Sequence, residues 1–158
     1  MSFTFSAASG QIEARVDAHE LTVLKAIPAY LASIESDSDD VVHERLYPAA
    51  YADEEEDREF RRLSHSDIQR AREVDRSRLI SVMERLAAGR TTLTEDEAES
   101  SARAMGAARL AIAARHGMFE VDELPRDPVT PHGTIVSYLG AVQVDLIEAL
   151  NQTPAMTS

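Results

Sequence analysis

Thr94-Glu95-Asp96-Glu97-Ala98-Glu99-Ser100-Ser101-Ala102-Arg103-Ala104-Met105-Gly106-Ala107-Ala108-Arg109-Leu110-Ala111-Ile112-Ala113-Ala114-Arg115-His116-Gly117 opens on a capping box and closes on a glycine. In such a box the Thr94 hydroxyl accepts an amide proton near Glu97, and the Glu97 carboxylate reaches back to the Thr94 amide. A helix that starts there is expected to run to His116, with Gly117 as its stop. Its small residues, Ala98, Ala102, Ala104, Ala107, Ala108, Ala111, Ala113 and Ala114, let other backbones approach closely. A helix built this way either lies at the centre of a domain or packs an open side against another copy. Central burial is the favoured reading.

The segments around it are also mostly helical. Asp17-Ala18-His19-Glu20 is a second capping box, and Leu21, Leu24, Ile27, Leu31 and Ile34 follow at helical spacing. This predicts a helix over about 18–35, with Pro28 removing one backbone bond. The acidic run Asp53-Glu54-Glu55-Glu56-Asp57 suits the positive end of a helix that continues through Phe60 and Leu63. Ser64 or Ser66 is expected to cap a further helix, carrying Ile68, Ala71, Val74, Leu79, Val82, Met83 and Leu86 inward and ending before Gly89. A last helix, about 134–150, presents Ile135, Tyr138, Leu139, Val142, Leu146, Ile147 and Leu150. Only Phe3 to Val16 alternates with period two around a glycine-containing turn, which reads as a β-hairpin. The expected fold is mainly α: four to five helices in one domain over 1–150, a hairpin at about 3–16, and a flexible tail at 151–158.

A chain of 158 residues fits one such domain. Its 44% apolar and 28% charged residues place it among globular proteins, and no uninterrupted run approaches the ~18 apolar residues of a bilayer span. The start, Met1-Ser2-Phe3-Thr4-Phe5, has neither the basic nor the apolar region of a secretory signal, so a cytoplasmic location is expected. Cysteine is absent, so no disulfide, thiolate nucleophile or thiol-based oxidant sensor can form.

Motifs for chemistry are missing too. The five histidines, 19, 43, 65, 116 and 132, are scattered and read as surface or capping groups. No paired helical histidines and no phosphate-cradling glycine loop occur. Ser64-His65-Ser66-Asp67 contains triad residue types, but neighbours at a helix start fan outward rather than converge. A helix-turn-helix over 110–125 would need Met118 to Pro125 as its recognition helix, and that segment is acidic and broken by Pro125. No catalytic residue, metal site or cofactor is expected, and the chain reads as a non-enzyme.

Charge is uneven. The net is −12, yet residues 58–90 carry nine arginines against five acids, a local +4. Arg58, Arg61, Arg62, Arg70, Arg72 and Arg76 are therefore the candidate partner-binding residues, with the acidic segment 118–128 as a second contact surface. Pairing of these arginines with nearby acids is the competing reading. A protein partner is expected, no membrane is, and a homodimer is compatible with the sequence.

Leu46-Tyr47-Pro48-Ala49-Ala50-Tyr51, followed by Glu59-Phe60-Arg61-Arg62-Leu63, resembles the signature of a small actinobacterial family. So do Leu93-Thr94-x-Asp96-Glu97-Ala98, Arg109-Leu110-Ala111-Ile112, and Tyr138-Leu139-Gly140-x2-Gln143-x2-Leu146 through Leu150. The family resembled is that of the oxidative stress transcriptional regulator AosR, long known only as a domain of unknown function. Its genes often lie near the ClpS protease adaptor and a JAB/MPN-type metallopeptidase. The resemblance covers nearly the whole chain and marks Pro48, Tyr51, Phe60, Arg62, Leu63, Arg109, Tyr138, Leu139 and Gly140 as motif residues. The chain departs from the family in having no tryptophan, with Ser100-Ser101 and Ala141 where aromatics are common. The resemblance implies a stress-responsive regulator acting on transcription machinery. The neighbouring genes imply an alternative, an interaction module of protein turnover.

Nonspecific affinity for nucleic acid comes from cations that displace condensed counterions, and a local +4 inside a −12 chain supplies few. Binding to random duplex in ~150 mM salt is expected to be weaker than micromolar by fluorescence anisotropy. A submicromolar value would reveal a focused basic groove.

Overall fold

The computed structural model describes residues 2–6, 11–35, 53–115 and 131–152. In chain order these form β1 (Ser2–Ser6), β2 (Gln11–Arg15), α1 (Ala18–Glu35), α2 (Glu54–Ala87), β3 (Thr91–Leu93), α3 (Glu95–Arg115) and α4 (Pro131–Gln152). The fold is mainly helical, with a short antiparallel hairpin at its start, in agreement with the sequence reading.

Both capping boxes form. The Glu20 amide donates to Asp17 Oδ1 at 2.8 Å, and the Asp17 amide to Glu20 Oε1 at 3.4 Å. At α3 the Thr94 amide donates to Glu97 Oε1 at 3.0 Å, and the Glu97 amide to Thr94 Oγ1 at 3.2 Å. Burial pushes the Glu97 carboxyl up, but the Thr94 amide and the Arg85 guanidinium outweigh it and hold the group below its usual range. The Asp53 carboxylate caps α2, accepting from the Glu55 and Glu56 amides.

Three expectations are corrected. First, α2 is one helix of 34 residues rather than two. Ser64 does not cap: its hydroxyl donates to the Phe60 carbonyl one turn back, at 2.7 Å, as serines do inside helices. Second, Ile68, Ala71 and Val74 are not buried but line an open groove against α1 and α3. Only Leu79, Val82, Met83 and Leu86 of α2 are buried, while Asp75, Arg76 and Arg78 reach α1 and α3 through polar contacts. Third, a further strand, β3, pairs antiparallel with β2 and makes a three-stranded sheet in the order β1-β2-β3. Gly89, at φ 128°, turns the chain out of α2 into it. Three residues are too few to show a period in sequence.

The core lies around α3. Ala98, Ala102, Ala104, Met105, Ala108 and Ala111 are buried, and α1, α2, α4, β2 and β3 all contact this helix. Ile12 and Ala14 of β2 and Leu93 of β3 close the core from the sheet side. Pro28 is buried within α1. By length and composition, α4 is the one helix among the described residues that reaches membrane-spanning character. Of the residues that give it that character, Val136, Leu139, Val142, Leu146 and Ala149 form its buried face in the domain, whereas Val144 and Ile147 are exposed. It begins three residues before the expected start and runs to Gln152, so the expected tail loses residues 151–152 to the helix. The rest of that tail, 153–158, lies outside the described residues.

Ser100 and Ser101 are both buried. Ser100 Oγ accepts from Arg78 at 3.1 Å and from Arg103 at 3.4 Å, whereas Ser101 Oγ has no hydrogen-bond partner. A buried hydroxyl without a partner carries its full desolvation cost. Ser101→Ala is therefore expected to raise stability by about 1 kcal/mol, helped by the better helix propensity of alanine. Chemical denaturation measures it, and a loss of stability would show that the hydroxyl is satisfied.

Candidate functional site

The arginines read as one binding surface are distributed over two neighbouring surfaces of α2. Arg58, Arg61 and Arg62 line a shallow cleft of about 620 Å³ together with Glu55, Glu59, His65 and Ser66. Arg70, Arg72 and Arg76 line a larger groove of about 810 Å³ between α1, α2 and α3. Its apolar floor includes Leu31, Ile68, Ala71, Val74, Ala104 and Leu110.

Several arginines are engaged within the fold. Arg61 pairs with Asp57 at 2.9 Å and Arg62 with Glu59 at 2.6 Å. The Glu59 carboxylate raises the Arg62 guanidinium above its usual range. Both pairs join residues one turn apart along α2, and the exposed Arg62–Glu59 pair is the one that yields readily to an incoming partner. Arg76 is different. It is bound to Glu35 of α1 in a largely buried ion pair and fastens two helices together. Arg85 donates to Thr91 Oγ1 and the Thr92 carbonyl and pairs with Glu97 at 2.7 Å, which ties the end of α2 to β3 and α3. Arg103 holds Asp75 through two bonds of 3.0 Å, and that carboxylate raises its guanidinium above the usual range. Internal pairing thus accounts for much of the charge, and the exposed cations of the candidate set are Arg58, Arg62 and Arg70.

The motif residues separate into two groups. Pro48 and Tyr51 lie outside the described residues, as does the acidic segment 118–128. Phe60, Arg62 and Leu63 are exposed on the first half of α2. Arg109 and Gly140 meet between α3 and α4, far apart in sequence but adjacent in space, while Tyr138 reaches α1. Leu139 is fully buried. The Tyr138 hydroxyl donates to Glu20 Oε2 at 2.9 Å and so joins α4 to the capping box of α1. Burial, then the Glu20 carboxylate, pushes its phenol far above the usual value, and it stays protonated throughout the ordinary pH range.

Arg109 and Gln143 form a reciprocal contact across the two helices. The Arg109 guanidinium lies over Gly140, where an added Cβ would come within 3.1 Å of Cζ. The Gln143 amide lies over Gly106, where a Cβ would meet Nε2 at 2.8 Å. Arg109 Nη1 donates to Gln143 Oε1 at 3.1 Å, which links the two. Sequence reasoning took Arg109 and Gly140 as motif residues and had Gln143 within the same motif, but it had no signal for Gly106 or for how the four residues pair.

Among the described residues, no nucleophile–base pair or converging carboxylate set emerges from this geometry. Among the described residues, no group of three His, Cys, Asp or Glu stands close enough to hold a metal ion. His65 lies in the middle of α2, and His19 in the first turn of α1. What the arrangement offers is an exposed helix carrying cations and apolar side chains, held on a close-packed body.

Gly140→Leu is expected to displace Arg109 from α4 and cost about 1–3 kcal/mol, despite the ~0.8 kcal/mol a glycine-to-leucine change returns in helix propensity. Thermal unfolding measures it. An unchanged or raised midpoint would mean that the guanidinium can move aside freely.

Comparison with curated proteins and with solved structures gives no match. A family model does match, over residues 2–150, nearly the whole of the chain. It spans the hairpin, the long exposed helix and the Arg109–Gly140 contact alike, and the chain accordingly belongs to the family described as Domain of unknown function (DUF2017).

Proposed function

We propose that this chain is a non-enzymatic, cytoplasmic regulatory protein that works through protein–protein contacts, in the manner its resemblance to the oxidative stress transcriptional regulator family implies. The observation that supports this reading is the first half of α2. It presents Arg58 and Arg62 on one side of an exposed helix and Phe60 and Leu63 on another. Exposed arginines and aromatic residues are the side chains enriched at binding hot spots. The partner surface complementary to it is acidic and apolar. The chain has no thiol, so the oxidant is sensed by the partner, and this protein transmits the result.

Affinity capture from the native host with the intact chain tests this. Transcription components are expected, and Arg58→Ala with Arg62→Ala should weaken their capture by about 2 kcal/mol, roughly thirtyfold. Both side chains are exposed, so the fold should be unaffected. Recovery of an adaptor or peptidase in place of polymerase components would make the chain a module of protein turnover. Capture indifferent to both arginines would remove α2 as the contact surface.

A further inference from the structure

We infer that the seam between α3 and α4 is a docking site for a peptide segment that carries one carboxylate beside apolar side chains. The site uses neither Arg58 nor Arg62, so it stands or falls apart from the regulatory reading of α2.

Two glycines shape the seam. Arg109 lies over Gly140 and Gln143 over Gly106, so α3 and α4 run antiparallel here with the two contacts one turn apart. All four residues are half-buried. Arg109 is the sole charge in residues 105–113 of α3, and residues 136–144 of α4 carry none. Arg61, Arg62, Arg76, Arg85 and Arg103 each hold a carboxylate within the fold. Arg109 does not. Among the described residues its one hydrogen bond runs from Nη1 to the neutral Gln143 Oε1, at 3.1 Å.

Donors remain open at this contact. Arg109 Nε is buried between the helices, but Arg109 Nη2 and Gln143 Nε2 are open to solvent and make no hydrogen bond. A guanidinium with an amide N–H beside it suits an anion with two acceptor oxygens, as a carboxylate has.

Apolar surface adjoins the donors. Val144 stands one turn along α4 from Gly140, and Ile147 one turn from Gln143, so both share their face of the helix. They are 53% and 44% exposed, and among the described residues they are the exposed large apolar side chains outside α2. An open surface of this kind suits a peptide rather than a free small molecule, which needs a pocket that encloses most of it. Asp145 and Glu148 directly follow Val144 and Ile147 in sequence, so the apolar end of the patch repels a second acid. The charge pattern therefore orients the segment, with its carboxylate over Arg109 and its apolar residues toward Ile147.

Magnetic resonance titration of the full purified chain tests this, read on the side-chain N–H signals of Arg109 and Gln143. The probes are acetyl-Ala-Leu-Leu with a free chain end, the same peptide amidated, and amidated acetyl-Ala-Glu-Leu-Leu. The better of the two carboxylate-bearing peptides is expected to bind at least about tenfold more tightly than the amidated control and than acetate. Which of the two it is assigns the carboxylate to a chain end or to a side chain. Gln143→Glu supplies an internal carboxylate to Arg109, so peptide binding should fall at least about tenfold while the thermal midpoint holds or rises. Val144→Ser/Ile147→Ser, at exposed positions, should erase the advantage of peptide over acetate. Equal binding of the amidated control would overturn the inference, as would peptides no tighter than acetate. So would binding that survives Gln143→Glu, or signals that never shift. Host-cell capture plays no part in this titration, so its outcome is separable from that of the α2 arginines.

Discussion

Close approach to α3 is the constraint from which the architecture follows. Every other helix and two of the strands contact it, and this is geometrically feasible because its inward positions are alanines, two serines and one methionine. Larger side chains there would force the surrounding elements outward and open voids, which protein interiors do not tolerate without cost. The price of such a core is little buried area per residue. Leu24, Ile34, Leu79, Leu139 and Leu146, supplied by the surrounding elements and all fully buried, provide what α3 cannot. The polar counterparts, Arg109 over Gly140 and Gln143 over Gly106, show the same principle at the α3–α4 contact. There the absence of two Cβ atoms admits a guanidinium and an amide.

Ion pairs do the stitching between elements. Arg85 joins the end of α2 to β3 and to the capping box of α3, and Arg76 joins α2 to α1 through Glu35. The two are unequal in physical terms. Arg76–Glu35 is largely withdrawn from water, so removing either partner strands a buried charge and is strongly destabilising. Arg85–Glu97 is more exposed and owes its weight to the hydrogen bonds that accompany it. The arginine-rich stretch is therefore partly a structural device, and the cations left over for function lie toward the first two-thirds of the helix.

That division gives α2 two characters. Its last third is a core helix like any other. The residues before it combine exposed cations with exposed apolar side chains, which neither packing nor solvation accounts for.

Much of this was legible in the chain as written. The two capping boxes, the bounds of α1, the hairpin and the central place of α3 follow from hydrogen-bonding groups at fixed short spacing and from side-chain size, which are local properties. The sequence also determined that no thiol chemistry is available, by containing no cysteine. Tertiary structure decided the rest. Apolar spacing through Ile68, Ala71 and Val74 announces a helix face but not whether it is covered, and here those side chains line an open groove while burial begins only at Leu79. Spacing is equally silent about which arginine meets which acid: Arg76 and Glu35 stand 41 residues apart, and their pairing depends on how α1 crosses α2. The short β3 and the Gly106–Gln143 counterpart to Arg109 likewise exist only as contacts between distant segments. Their energy comes from neighbours that the chain acquires on folding, and no local pattern records them.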